Sequence, residues 1–74
     1  MTWKIDYHGR TLEDALKDAE GIIDSARLQG NAVEVEIITG RGEIRQELMD
    51  LFENHSLKPT YKLGNDRVIL VTVE

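Results

Sequence analysis

Along this chain the apolar residues switch between a spacing of two and a spacing of three to four, and each switch marks an element. Trp3, Ile5 and Tyr7 alternate with Lys4 and Asp6, which predicts a half-buried strand over 3–7. If the extension continues to His8, Asp6 and His8 share one side of it, and Gly9 then breaks the strand. Leu12, Ala15, Leu16, Ala19, Ile22, Ile23 and Ala26 form one stripe of an amphipathic helix. Thr11-Leu12-Glu13-Asp14 resembles a capping box at its start, with Asp14 in place of the preferred glutamate. Gly30 is its expected stop, and Gly21 inside the pattern predicts close approach of the helix to a sheet.

Val33-Glu34-Val35-Glu36-Ile37-Ile38 alternates and then turns continuously apolar, as a strand entering a packed region does. Thr39-Gly40-Arg41-Gly42 follows. A second helix is predicted from about Glu43 to Asn54, with Ile44, Leu48, Leu51 and Phe52 inward, and Pro59 prevents its continuation. Two short strands, over 60–63 and 67–73, flank the turn residues Gly64-Asn65-Asp66. The order is βαβαββ. It predicts a parallel first pair joined by a right-handed crossover and an antiparallel final hairpin. Both helices then cover one face of a four-stranded mixed sheet, an α/β two-layer sandwich. Lys4, Glu34 and Glu36 would face water on the other side.

Length narrows the functional classes. A chain of 74 residues is expected to form a single domain, 1–74, that buries roughly 60% of its unfolded surface. So small a core leaves no deep cavity, and recognition on an edge or open face favours a polymer over a small-molecule cofactor. Cysteine is absent, which excludes disulfides and thiolate metal sites. No cleavable leader pattern and no membrane-length apolar run occurs, so a cytoplasmic protein without a membrane partner is expected. The sequence leaves the oligomeric state open, a monomer included.

A net charge of −5 argues against a general electrostatic grip on nucleic acid. The distribution changes that picture. Glu13, Asp14, Asp18, Glu20 and Asp24 crowd onto the first helix, where they read as a solvated face. Arg10, Arg41 and Arg45 lie instead near the two strand-to-helix segments, which predicts a local basic edge.

Those two segments carry the candidate chemistry. The glycines of Thr39-Gly40-Arg41-Gly42 let backbone amides turn inward, and the following helix adds unpaired N–H groups and a positive dipole end. Such a nest suits a phosphate, with Arg41 and Arg45 adding charge-assisted bonds. It lacks the length and the Lys-Ser/Thr pair of a Walker loop. Asp6 and His8 form an acid–base pair, in which a carboxylate orients an imidazole that moves protons near neutral pH. They could equally supply two ligands to a divalent metal such as magnesium. Taken alone, each segment is more simply a turn: Asp6 capping it, His8 bonding backbone, and the glycines meeting a conformational need. Parallel strands would bring both to one sheet edge, where a phosphate on the glycine loop would lie near His8. Other candidates are weaker. His55 reads as a packing or capping residue at the end of the second helix, and Trp3 as the cover of a core edge.

The same residues carry a family resemblance. Ile5-Asp6-Tyr7-His8-Gly9 resembles the Leu-Asp-x-His-Gly motif of the small MutS-related (Smr) domain, and Thr39-Gly40-Arg41-Gly42 resembles that family's His/Thr-Gly-x-Gly motif. Thr11-Leu12-Glu13-Asp14-Ala15-Leu16 resembles the usual opening of its first helix, and Ile37-Ile38 fits before the glycine loop. The resemblance implies a fold similar to the C-terminal domain of translation initiation factor 3. It also implies binding of DNA or RNA and, as in several members, endonuclease or nicking activity. Asp6 and His8 then take the catalytic motif, and Thr39, Gly40, Arg41 and Gly42 the nucleic-acid-binding loop, flanked by Arg10 and Arg45. Many members carry a long Gly-rich loop before the last strand. Here it is reduced to Leu63-Gly64-Asn65-Asp66-Arg67. A non-catalytic nucleic-acid module, or a protein-interaction domain using the open sheet face and the strand over 68–73, are the competing expectations.

Overall fold

The computed structural model describes residues 1–40 and 42–74. Its elements run β1 (Thr2–Asp6), α1 (Leu12–Arg27), β2 (Val33–Ile38), α2 (Glu43–Asn54), β3 (Thr60–Lys62) and β4 (Asn65–Val73). The sheet order is β1-β2-β4-β3. β1 and β2 are parallel, in register from Thr2 opposite Glu34 to Asp6 opposite Ile38. β4 lies antiparallel between β2 and β3. This is the expected four-stranded mixed sheet in a βαβαββ chain.

Alternation on the strands and the helical stripes converge on one core. Val33, Val35 and Ile37 of β2 and Ile69, Val71 and Val73 of β4 meet Ala15, Ala19, Ile23 and Ala26 of α1 and Leu48 and Phe52 of α2. Both helices therefore cover one face of the sheet. Lys4, Glu34, Glu36 and Thr72 occupy the other, where Lys62 Nζ lies 3.5 Å from Glu36 Oε1. The hydroxyl half of the capping box forms, Thr11 Oγ1 accepting from the Asp14 amide at 3.2 Å. His55 caps α2, and its carbonyl accepts from Arg27 Nη2 at 2.8 Å, tying the far ends of the helices together.

Several boundaries differ from expectation. β1 stops at Asp6, because the chain turns at His8 rather than extending through it. α1 ends at Arg27 with Leu28 as its C-cap, so Gly30 belongs to the turn beyond. Ile38 does not enter the packed layer. It faces the open side, 40% exposed, because the alternation that buries Ile37 turns its neighbour outward. Lys62 pairs with Asn65, so the hairpin turns at Leu63-Gly64, and Asn65 and Asp66 start β4. An Asn65 side-chain oxygen accepting from the Arg67 amide at 3.1 Å accounts for asparagine there.

Gly21 is the other correction. It is exposed, and a Cβ added to it would meet nothing within 4 Å. Close approach of α1 comes from its three buried alanines. Gly21→Ala is therefore expected to stabilise the protein by about 0.5–1 kcal/mol, since only helix propensity changes. Thermal melts should show Tm rising by a few degrees. An unchanged or lowered Tm would mean that the glycine serves packing after all.

Candidate nucleic-acid interface

Because β1 and β2 are parallel, their carboxyl ends and the segments leading into both helices lie at one edge of the sheet. Pairing runs one residue past β1, the Tyr7 amide donating to the Ile38 carbonyl at 2.8 Å. The chain then reverses, and the Arg10 amide donates to the Tyr7 carbonyl at 2.9 Å. Asp6 Oδ1 accepts from the His8 amide at 2.8 Å, which fixes the start of this turn. The Asp6 contact is thus to the backbone of His8. The imidazole is exposed, as a group that handles a substrate must be.

The His8 ring lies beside the glycine loop. A Cβ placed on Gly40 would stand 3.6 Å from His8 Cδ2, an ordinary van der Waals contact. Asp6, His8 and Gly40 therefore form one continuous surface. Thr39 is buried and supports it from below. Its amide donates to the Arg67 carbonyl at 2.9 Å, and its hydroxyl points to the carbonyls of Gly40 at 2.9 Å and Arg67 at 3.3 Å. The hydroxyl shapes the loop and ties it to β4.

Gly42 is the N-cap of α2 and makes no side-chain cap. Its φ of 140° and ψ of −157° fall in a region essentially closed to other residues. The first-turn amides of α2 therefore emerge from a loop that only glycine can form, and they carry the positive end of the helix dipole. Gly42→Ala is expected to cost about 1–3 kcal/mol and to redirect those amides. A melt that matches wild type would contradict this.

The arginines divide. Arg41 lies outside the described residues. Arg10 is exposed beside α1, bordering a shallow groove with Trp3, Asp14 and Asp18. Arg45 reaches to the β3–β4 hairpin. Its Nη1 lies 3.3 Å from both the carbonyl and the carboxylate of Asp66, and its guanidinium sits over the Tyr61 ring, 5.4 Å from the centroid.

One buried neighbour was not among the candidates. Tyr7 is fully buried, and its hydroxyl donates to Asp18 Oδ2 at 2.6 Å. Burial, then the hydrogen bond and negative charge of Asp18, push the phenol well above its ordinary range, against an opposing pull from Arg10. The signal was present in the alternation of Trp3, Ile5 and Tyr7, since an inward tyrosine needs an acceptor. Asp18 is thus not simply part of a solvated acidic face.

Among the described residues, no three His, Cys, Asp or Glu side chains are grouped to hold a metal ion. No helix among them is long and apolar enough to cross a membrane. No curated protein and no solved structure gives a significant match to the chain. The Smr domain family model matches residues 5–70, from the Asp6–His8 turn through the glycine loop and into β4. With both segments of this sheet edge inside a match that spans most of the fold, the chain belongs to the Smr domain family.

Proposed function

We propose that the chain binds DNA or RNA at this edge and nicks the phosphodiester held there. Smr domains bind nucleic acids, and many have nuclease activity. The observation that carries the reading is the His8 ring lying against Gly40, two residues before the Gly42 N-cap of α2. A phosphate on the amides of the glycine loop would sit within reach of the imidazole. Arg10 and Arg41, the basic residues next to the two motifs in sequence, would add charge-assisted bonds to the backbone. His8 then serves as general acid or base while water attacks phosphorus, the P–O bond to the leaving oxygen breaks, and that oxygen takes up a proton. Asp6 holds the turn through the His8 amide. If the reaction uses a divalent ion such as magnesium, Asp6 and His8 are the donors at hand, and the ion would supply charge neutralisation and a more acidic water. The working compartment in this reading is the cytoplasm.

Fluorescence anisotropy with labelled single- and double-stranded oligonucleotides tests the binding. Affinity should fall linearly with the logarithm of salt concentration, with a shallow slope because few phosphates are neutralised. Absence of binding at low salt, or affinity indifferent to salt, would overturn the reading in favour of a protein partner. Gel assays with and without magnesium test the cutting, and binding without product would leave the non-catalytic module.

A further inference from the structure

The hairpin side of the edge presents a different chemistry. Tyr61 pairs with Ile69, Ile69 with Ile37, and Ile37 with Ile5, so the four side chains form one row on the helix-covered face. Ile69, Ile37 and Ile5 stand under or beside the helices. Tyr61, at the edge strand, keeps 39% of its surface open. Arg45 of α2 lies over its ring, and the Arg45 side chain is itself 27% accessible. Leu63, fully exposed at the adjoining turn, adds apolar surface.

Charge decides what such a surface takes. The Arg45 guanidinium lies 3.3 Å from the Asp66 carboxylate, so a phosphate arriving there would also meet that carboxylate. What stays open is flat and π-rich. Stacking on an aromatic ring or a guanidinium plane is the mode by which proteins hold an unpaired base. The row of paired residues also sets a distance. Three strand spacings separate β1 from β3, about 14 Å in all, a span that a few nucleotides of one strand can cover. The Arg67 carbonyl, which accepts from both the amide and the hydroxyl of Thr39, fastens the hairpin to the glycine loop and keeps that spacing fixed.

We infer that the Tyr61–Arg45 stack is a subsite for an unpaired nucleobase of the strand whose phosphate lies on the glycine loop. This rests on the nucleic-acid reading and deepens it, since it makes single-stranded or locally unpaired segments the preferred substrate. Arg45 then acts as part of a stacking platform, and the backbone grip falls to the loop amides with Arg10 and Arg41.

The test compares a short mixed-sequence single strand with the same strand carrying abasic sites, both fluorescently labelled. Tyr61→Thr should weaken binding of the base-bearing strand by about 5- to 100-fold, from the typical stacking contribution. It should leave abasic binding unchanged, and Tyr61→Phe should behave as wild type on both. On the wild-type protein, the Tyr61 ring proton resonances should shift upfield with the base-bearing strand and not with the abasic one, a readout that needs no variant to fold. Equal losses on the two strands, or Tyr61 resonances indifferent to both, overturn the subsite while leaving phosphate binding intact. Failure of wild type to bind either strand at low salt overturns the subsite together with the nucleic-acid reading.

Discussion

Changing His8 to alanine should leave oligonucleotide binding nearly intact and lower nicking by about 10²–10⁴-fold, the usual contribution of a positioned acid or base. The expectation follows from where the residue sits. His8 is exposed on a turn held by backbone and by Asp6, so truncating its ring removes chemistry and little packing. Phosphate binding is assigned to amides of the glycine loop and α2, which the substitution does not touch. Asp6 separates two further roles. Its recorded contact is to the His8 amide, and asparagine keeps an oxygen that can accept the same bond. Asp6→Asn should therefore retain much of the nicking if Asp6 only shapes the turn, whereas Asp6→Ala should lose it. If Asp6→Asn is as inactive as Asp6→Ala, the carboxylate charge itself takes part, as a metal ligand would. Equal product from wild type and His8→Ala would remove His8 from the chemistry altogether.

How much of this was legible follows from which interactions are local. The alternation in β1 and β2, the stripes of α1 and α2 and the turn residues between β3 and β4 are all local, so the chain alone predicted all six elements. Parallel pairing of β1 with β2 came from the crossover rule, and with it the meeting of His8 and Gly40 at one edge. What the sequence misplaced depends on partners far along the chain. Arg45 looked like a phosphate ligand because it sits one turn into α2, yet its position is set by Asp66 and Tyr61 on the hairpin. Thr39 looked like a ligand, but its hydroxyl turns toward the Arg67 carbonyl on β4, a contact between segments that no spacing rule connects. Gly21 misled for the opposite reason. A glycine in a helix reads as a packing notch, but here the buried stripe already consists of alanine and the glycine faces out. The hairpin slipped by two residues because Asn65 and Asp66 have turn chemistry, while Asn65 uses its side chain to bond the Arg67 amide within β4.

Tyr7 is expected to be the residue whose loss the fold tolerates least. It lies between Asp6 and His8 in sequence, but its ring is fully buried and its hydroxyl is bonded to Asp18 of α1. Tyr7→Ala removes an entire buried aromatic ring, a change that typically costs about 3–5 kcal/mol. A domain of this length commonly has about 4–11 kcal/mol of stability in total. The variant should therefore be unfolded or close to it by circular dichroism, and lose binding with structure. Tyr7→Phe isolates the hydroxyl. It keeps the ring and removes one hydrogen bond to a carboxylate that water can partly resolvate, for a cost of about 1–2 kcal/mol. It also changes the alkaline limb. Because the folded state raises the Tyr7 pKa, it keeps the phenolic proton to higher pH than the unfolded chain does. Below about pH 10 both states are protonated and this group adds no slope. Above that pH the unfolded state loses the proton first, so wild-type stability falls as pH rises. Denaturant melts of wild type and Tyr7→Phe should accordingly differ by a constant amount up to about pH 10 and converge above it. Parallel curves throughout would mean that the tyrosine hydroxyl does not bridge the turn at Asp6–His8 to α1.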